Sequence, residues 1–526
     1  MKTMIYSLLM AAAAAMPLAS CSDDNSAPEQ RDWSTTTLFA SSDLASQSIF
    51  YKPQSGYVGD PMPFYDPVAK DFKILYLQDY RPNPVGTYHP IWCVSTTDAA
   101  SYTSLGELIP CGGINAQDAA LGTGSTIYNE ADHLYYTFFT GHKYELGDGE
   151  SREMVMVATS PDFKTWTKDQ TFYLRGADYG YERNDFRDPF VFRDDANLYH
   201  LIVACKKNGK GVLAEWTSSD LRTWSHKGEF MTCMWDRFYE CPDVFKMGDW
   251  WYLVYSELHD AVRRVQYFKG RTLDELKACT ANDAGLWPDS HEGFLDSRGL
   301  YAGKTASDGT NRYIWGWCAT RSGNDNTKAL EWAGNLVAHR LIQHEDGTLT
   351  LGEVPAMASM FGEGATPDIA AKSESGVEGS NAESLTLSGD SYVLFPRLGY
   401  QNRITFTVKT SGDSDNFGVS LVRGTDADVF YSLIVNAEDA NRRKINFEQQ
   451  GSKGAGFLAN NDGYVFQRPA DNTYNVTIVT DNSICTMYIN DVACYTNRIY
   501  GMQRNCWSIN SYGGNITVSN VKIASN

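Results

Sequence analysis

The chain has 526 residues, 42% of them hydrophobic, too many for one small core and apolar enough to fold as two domains. Its 45 basic and 64 acidic residues leave a net charge of −19, which excludes a nucleic-acid partner and suits a neutral substrate. The aromatic share is 13%; such residues favour strands and stack on sugar rings.

Residues 1–20, MKTMIYSLLMAAAAAMPLAS, combine an early lysine, an apolar middle and small residues at the end. That is the grammar of an export signal, and the run is too short for a confident membrane span. LASC at 18–21 resembles the lipobox of bacterial lipoproteins, with Cys21 as the lipidated residue. The SDDN that follows resembles the acidic signal that sends lipoproteins to the cell surface in Bacteroides-like bacteria. The resemblance implies an outer-membrane lipoprotein, held to the membrane through Cys21 and exposed at the surface. Residues 21–48 are rich in Ser, Asp, Thr and Gln and read as a flexible tether.

From 49 to 355 the chain repeats itself. A polar turn and an aromatic-rich strand recur five times: KDFKILYLQD, DHLYYTFFTG, NLYHLIVAC, DWWYLVYSE and NRYIWGWCAT. A second marker follows three of them: TTDAASY, SPDFKTW and SSDLRTW, headed by Asp98, Asp162 and Asp220. The Asp can cap a tight turn, and the aromatic can pack between neighbouring sheets. Repeats of this length, each with several short strands, predict a five-bladed β-propeller. Residues 356–380 are small and polar and read as a linker or loop-rich boundary. From 381 to 526, RITFTVKT, FGVSLVRG, YNVTIVTD and their neighbours alternate in polarity between turn residues, which predicts a β-sandwich. The fold class is therefore all-β. Ten cysteines besides Cys21 are scattered without a CxxC pair, so no metal or other cofactor is expected. Cys485 and Cys494 are the pair placed for a disulfide.

Three acids sit at strand starts in different repeats, each followed by proline at once or one residue later: Asp60 in GDPMPF, Asp188 in RDPFVF and Glu240 in ECPDVF. In a propeller the innermost strands converge on the axis, so acids at these places gather. Cleaving a glycosidic bond needs a proton donor for the leaving oxygen and a carboxylate that attacks or activates water.

With these motifs the chain resembles glycoside hydrolase family 32, the β-fructosidases. Arg187-Asp188-Pro189 matches the family's RDP motif, and Glu240-Cys241 its EC motif. Asp60-Pro61 matches only the centre of its Asn-Asp-Pro-Asn-Gly motif; Gly59 stands where the family has asparagine. The resemblance implies Asp60 as nucleophile, Glu240 as general acid and base, Asp188 as transition-state stabiliser, and Arg187 as the group that orients the carboxylates. Arg187 is expected to lower a neighbouring carboxylate's pKa and help keep the nucleophile ionised. Gln78, Trp92, Thr123, Ser125, Cys241 and Asp296 are the implied substrate-binding residues. Retention of configuration implies an acid-to-nucleophile separation of about 5–5.5 Å. The implied substrate is a fructan, with internal cleavage of levan expected first and association with a surface glycan-uptake system. The alternatives are exo-cleavage of inulin, levan or sucrose, fructosyl transfer, an inverting family 43-type arabinan or xylan hydrolase, and a glycan-binding lipoprotein without catalysis.

Overall fold

The computed structural model describes residues 49–80, 89–233, 237–257, 263–279, 293–423, 429–451, 456–457, 463–503 and 505–526. The expected leader, Cys21 and the tether lie outside the described residues.

The first half is a ring of five antiparallel blades. Blade 1 holds Tyr57–Asp66, Asp71–Asp79, Ile91–Thr96 and Thr103–Ile109; blade 2 holds Ala120–Asn129, Leu134–His142, Glu153–Ser160 and Thr167–Lys168. Blade 3 holds Phe186–Arg193, Tyr199–Lys207, Lys210–Ser218 and Ser225–Thr232; blade 4 holds Tyr239–Met247, Trp250–Glu257 and Val265–Gly270. Blade 5 holds Leu300–Ser307, Arg312–Arg321 and Leu330–Gln343, extended by Leu349–Gly352. The repeated segments of the sequence are the second strands of these blades. Each has a strand on both sides and a blade on both faces, so its run is apolar throughout rather than alternating. Residues 72–79, for example, are all buried.

The turn markers are one device used three times. Asp98, Asp162 and Asp220 each accept two backbone N–H groups, two and three residues on, at 2.8–2.9 Å. The residue after each Asp has positive φ, at Ala99, Phe163 and Leu221. The aromatic three residues further, Tyr102, Trp166 or Trp224, donates back to that residue's carbonyl. Trp224 then meets Phe138 of blade 2 edge-on at 5.6 Å, while the Tyr102 hydroxyl accepts from Trp315 of blade 5.

The ring closes through its N-terminal residues. Leu336 N–H donates to Tyr51 O at 2.9 Å, so residues 49–51 run beside the third strand of blade 5. Val58 pairs with Gly334 on the same strand.

The second half is an antiparallel sandwich spanning Ala371–Ser525, threaded by the long strand Cys506–Ser525, which pairs with three others. Gln401–Thr410 alternates half-buried and buried along nearly its whole length, the pattern of a strand with one face on a core. Trp507 stacks on Phe395 at 4.4 Å inside that core. The expected linker at 356–380 is corrected in part. It carries most of a short helix, Pro355–Met360, and two strands, Ala371–Lys372 and Val377–Asn381, paired with Ser384–Arg397. The second of these lies largely exposed, so backbone bonds hold it and no apolar period marks it. The expected Cys485–Cys494 bridge is also corrected. Both thiols are free, and the register sets Cys485 opposite Asn497 and Cys494 opposite Tyr488.

A buried polar seam joins the halves. Fully buried Arg498 donates to Ala319 O at 3.0 Å, Cys318 O at 2.9 Å, Asn335 Oδ1 at 2.6 Å and Ser483 Oγ at 2.9 Å. Asp481 of the sandwich accepts the N–H groups of Ile49 and Phe50 at 3.0 and 3.2 Å.

Candidate active site

All five innermost strands bulge at the same level. Register is lost between Gly59 and Met62, Gly122 and Gly124, Arg187 and Phe190, Glu240 and Asp243, and Tyr301 and Lys304. The residues thrown out of the ladder are Asp60-Pro61, Thr123, Asp188-Pro189, Cys241-Pro242 and Ala302-Gly303. Asp60, Asp188, Cys241 and Ala302 all have positive φ, from 29° to 57°. Such strain in non-glycine residues concentrates where side chains must be re-aimed. Proline has no N–H to contribute to a ladder, so a bulge is the place inside a sheet that accepts it. The repeated acid-proline pattern thus has a backbone cause. The bulges also correct the equivalence of the acids. Asp60 and Asp188 align with Cys241, whereas Glu240 stands one residue earlier, level with Gly59, Arg187 and Tyr301.

The bulges line one cavity of about 520 Å³ on the propeller axis, into which Asp60, Asp188, Glu240 and Arg187 all open. Glu240 is held at both oxygens: Arg187 Nη2 donates to Oε1 at 3.0 Å, and the Tyr301 hydroxyl to Oε2 at 2.7 Å. Asp60 Oδ1 accepts from Trp317 Nε1 at 2.9 Å. Asp188 Oδ2 accepts from the Cys241 N–H at 2.9 Å, and its own N–H donates to Thr140 Oγ1. Arg187 also pairs with Asp185 at 2.9 Å and Glu153 at 3.4 Å, and lies 4.3 Å over the Phe238 ring. Lys304, almost fully buried, donates to Gly124 O at 2.7 Å.

Electrostatics divides these groups. Burial, then the charges of Asp188 and Glu240, push Asp60 up to about 7, against Trp317 and Lys304, which pull it down. Burial pushes Asp188 up to about 6, against Arg187. Burial and then Arg187 hold His142, on the cavity wall, down at about 4, so it is neutral at pH 7. Burial and Glu240 hold the Tyr301 phenol well above its ordinary range, which keeps it a donor. The expectation that Arg187 keeps Asp60 ionised is corrected. Its guanidinium is engaged by Glu240, Asp185 and Glu153, and the groups that lower Asp60 are Trp317 and Lys304.

The expected substrate-binding residues divide. Thr123 and Cys241 line the cavity. Gln78, Trp92, Ser125 and Asp296 do not. Gln78 is buried on the second strand of blade 1 and donates to Ser55 O. Trp92 lies on the third strand of that blade, edge-on to Tyr80. Ser125 Oγ donates to Pro189 O at 3.1 Å and accepts the Val191 N–H at 2.9 Å, which braces the Asp188 bulge. Asp296 is fully buried at the domain seam, where it accepts the Thr496 hydroxyl at 2.5 Å. His339 and Cys494 join it there in a group with metal-ligand chemistry, but the Nδ1 of His339 already meets the Tyr488 hydroxyl at 2.8 Å. Sequence reasoning did not single out Tyr301, Trp317, Lys304, Glu153 or Trp332. The small pair Ala302-Gly303, between Tyr301 and Lys304, was the legible sign of a fifth bulge.

Carboxylates brought together on one wall, one of them gripped by an arginine and a tyrosine, can divide proton donation and nucleophilic attack between them. Residues 50–355 match the model of the glycosyl hydrolases family 32 N-terminal domain, and residues 347–523 match that of the GH32, BT1760-like, C-terminal domain. A sucrose-6-phosphate hydrolase of Staphylococcus xylosus is 24% identical over 332 residues, which is 60% of this chain and 63% of that protein. A β-fructofuranosidase, insoluble isoenzyme 3, of Oryza sativa subsp. indica is 24% identical over 56% of this chain and 54% of its own. The chain thus spans less than two thirds of the length of these relatives. The crystal structure of fructan 1-exohydrolase IIa from Cichorium intybus superposes with a TM-score of 0.69 over 91% of this chain and 98% of that one, at 14% identity. Sucrose-6-phosphate hydrolase from Lactobacillus gasseri gives 0.68 over 91% and 92%, at 16% identity. Those two likenesses speak for the fold, a propeller followed by a sandwich. The match of the propeller model to more than half the sequence, over a cavity built from its RDP and EC motifs, establishes that the chain belongs to glycosyl hydrolase family 32.

Proposed function

We propose that the chain hydrolyses β-fructosidic bonds with retention of configuration. The observation that carries this is the meeting in one cavity of Asp60 and Asp188, on the bulges of blades 1 and 3, with Glu240, the residue just before the bulge of blade 4. Asp60 attacks the anomeric C2 of a fructosyl unit as Glu240 passes its proton to the leaving oxygen. A covalent fructosyl ester forms and the C–O bond to the leaving group breaks. Glu240, now a carboxylate, takes a proton from water, whose oxygen displaces Asp60 from C2. Arg187 and Tyr301 fix the direction of Glu240 through both steps. Asp188 binds the fructose hydroxyls and offsets positive charge on the ring. The retaining reading carries the carboxyl separation of about 5–5.5 Å with it.

Attack requires ionised Asp60. As pH falls through about 7 that carboxylate takes up a proton, so kcat/KM on the acid side should fall with it. Trp317 lowers this pKa, so Trp317→Phe should move the acid limb to higher pH. Asp188 raises it, so Asp188→Asn should move what activity remains to lower pH. Rate profiles from pH 4 to 9 measure both, and a limb unmoved by Trp317→Phe would remove the indole from this role.

A neutral sugar suits the wall. Asp60, Glu153, Asp188, Glu240 and Glu331 line it against Arg187 and Arg263, an anionic balance that repels a phosphorylated one. We infer a polymer, levan cleaved internally, because LASC at 18–21 resembles a lipobox, and an anchor on Cys21 would hold the chain at the surface, where polymer arrives before transport. Exo-cleavage is the second reading, favoured by the curated relatives, which are by name a sucrose-6-phosphate hydrolase and a β-fructofuranosidase. Purified protein beginning after Cys21 should be given levan, inulin, sucrose and sucrose 6-phosphate, with products separated by chromatography. Mixed oligosaccharides from levan support internal cleavage, and fructose alone supports the exo reading. No product from any of them, with polymer binding intact, leaves a glycan-binding protein.

A further inference from the structure

The imidazole of His142 lines the cavity and takes no part in the cleavage steps. His142 ends the second strand of blade 2, where its backbone pairs with Ala120 of the inner strand. Thr140, two residues earlier and on the same face, braces the Asp188 bulge through its hydroxyl. The ring leans back over Gly122, just before the blade 2 bulge. A Cβ there would lie 3.2 Å from His142 Nε2, so the glycine keeps the space beside that nitrogen open. Nδ1 faces Glu153 Oε1 at 3.7 Å, too far for a hydrogen bond. Glu153 is itself fixed by the Phe186 N–H at 2.7 Å and by Arg187. Its charge favours the tautomer with hydrogen on Nδ1, which leaves Nε2 as an acceptor. Burial and then Arg187 keep the ring uncharged at pH 7, so that acceptor persists. Neither nitrogen has a hydrogen-bond partner among the described residues, and 29% of the side chain stays exposed. A partly buried imidazole without partners carries a cost that a ligand hydroxyl would relieve.

The order of the blades decides which part of a substrate meets this wall. Blade 2 packs between blade 1, with Asp60, and blade 3, with Asp188, while Glu240 belongs to blade 4 across the axis. The leaving group departs on the Glu240 side. What faces blade 2 is the part of the fructosyl unit that stays on Asp60, and whatever is attached to that part. We propose that His142 receives a hydroxyl of the next sugar on the retained side, so that the blade 2 wall is the subsite that lets a chain be cut internally. The ligand class is a neutral fructo-oligosaccharide. The inference rests on the β-fructosidase reading and deepens it. Removing a terminal unit needs no contact beyond the reacting ring. An internal cut must hold at least one more unit on the retained side, and an uncharged acceptor holds it without burying a charge.

Affinity and product pattern test this together. In the Asp60→Ala background, where turnover is absent, calorimetry measures binding of a β-2,6-linked fructosyl tetrasaccharide with His142 intact and as His142→Ala, His142→Phe and His142→Gln. In the otherwise natural protein the same three changes are assayed on levan, and chromatography follows the ratio of oligosaccharides to free fructose. His142→Ala and His142→Phe should weaken tetrasaccharide binding about tenfold and shift the products toward fructose. His142→Gln, whose amide also accepts a hydrogen bond, should recover much of both. If His142→Ala does not fold, the Phe and Gln variants still decide. Recovery by Phe and not by Gln would reduce the ring to packing and overturn the proposal. Unchanged affinity in all three would also overturn it, as would a natural protein that yields fructose alone, and the β-fructosidase reading would stand in each case. A natural protein that cleaves no fructan, yet binds the tetrasaccharide through His142, would remove that reading and keep the contact.

Discussion

Asp60→Ala should abolish the proposed β-fructosidase activity, lowering kcat by on the order of 10⁴-fold or more, because no neighbouring group can take its place as nucleophile. Asp188 is held by the Cys241 N–H, and Glu240 is committed at both oxygens to Arg187 and Tyr301. Glu240→Ala should also be severe, but unequally so. Its loss should be mildest with activated leaving groups that need no proton, about 10²-fold to 10⁴-fold otherwise. Single-turnover assays with sucrose and an aryl fructoside separate the two. Equal loss on both substrates in Glu240→Ala would reject it as the proton donor.

The same residue carries a stability cost with a definite sign. Asp60 has an ordinary value of 3.8 and is raised to about 7 in the fold. Between those values the native state holds a proton that the unfolded state has lost, so stability falls as pH rises through that window. Above it the full cost of a buried charge remains. Asp60→Asn should therefore raise Tm more at pH 8 than at pH 5, as sites tuned for chemistry often do when disarmed.

Arg498→Met should be the most destabilising change outside the cavity. It keeps the apolar volume but strips donors from Ala319 O, Cys318 O, Asn335 Oδ1 and Ser483 Oγ in a seam without exposure. Each orphaned acceptor costs about 1–3 kcal/mol, and breaking a buried charged network typically costs about 3–5 kcal/mol in all. Because the arginine belongs to the sandwich and three of its acceptors to blade 5, propeller and sandwich should lose stability together. Urea unfolding followed by tryptophan fluorescence reads this; a midpoint shift worth less than about 1 kcal/mol would show that the seam does not couple them.

The ring of blades was legible because the second strands are buried on both faces, which leaves continuous aromatic and aliphatic runs that no loop would carry. The sandwich was legible for the opposite reason, the clean alternation of segments such as Gln401–Thr410. Strands such as Val377–Asn381 were not, since an exposed edge needs no apolar period. The acids were legible through the prolines that follow them, but their register was not. One extra residue per bulge decides whether Glu240 aligns with Asp60 or stands before it, and sequence spacing does not record where the ladder slips. Gln78 and Trp92 were placed in the site by resemblance to the family's own glutamine and tryptophan. They lie on second and third strands, further from the axis than the bulges. Trp317 lies on a second strand too and still reaches Asp60, which only side-chain geometry reveals.

Residues 49–51 close the ring against blade 5 while Asp481 grips their N–H groups from the sandwich. A lipid anchor on Cys21, as proposed, would put a polymer-bound chain under tension, and the pull would enter at this point. It meets hydrogen bonds to both halves at once. The load is shared between the two bodies, where a tether leaving a lone edge strand would peel the ring open one bond at a time.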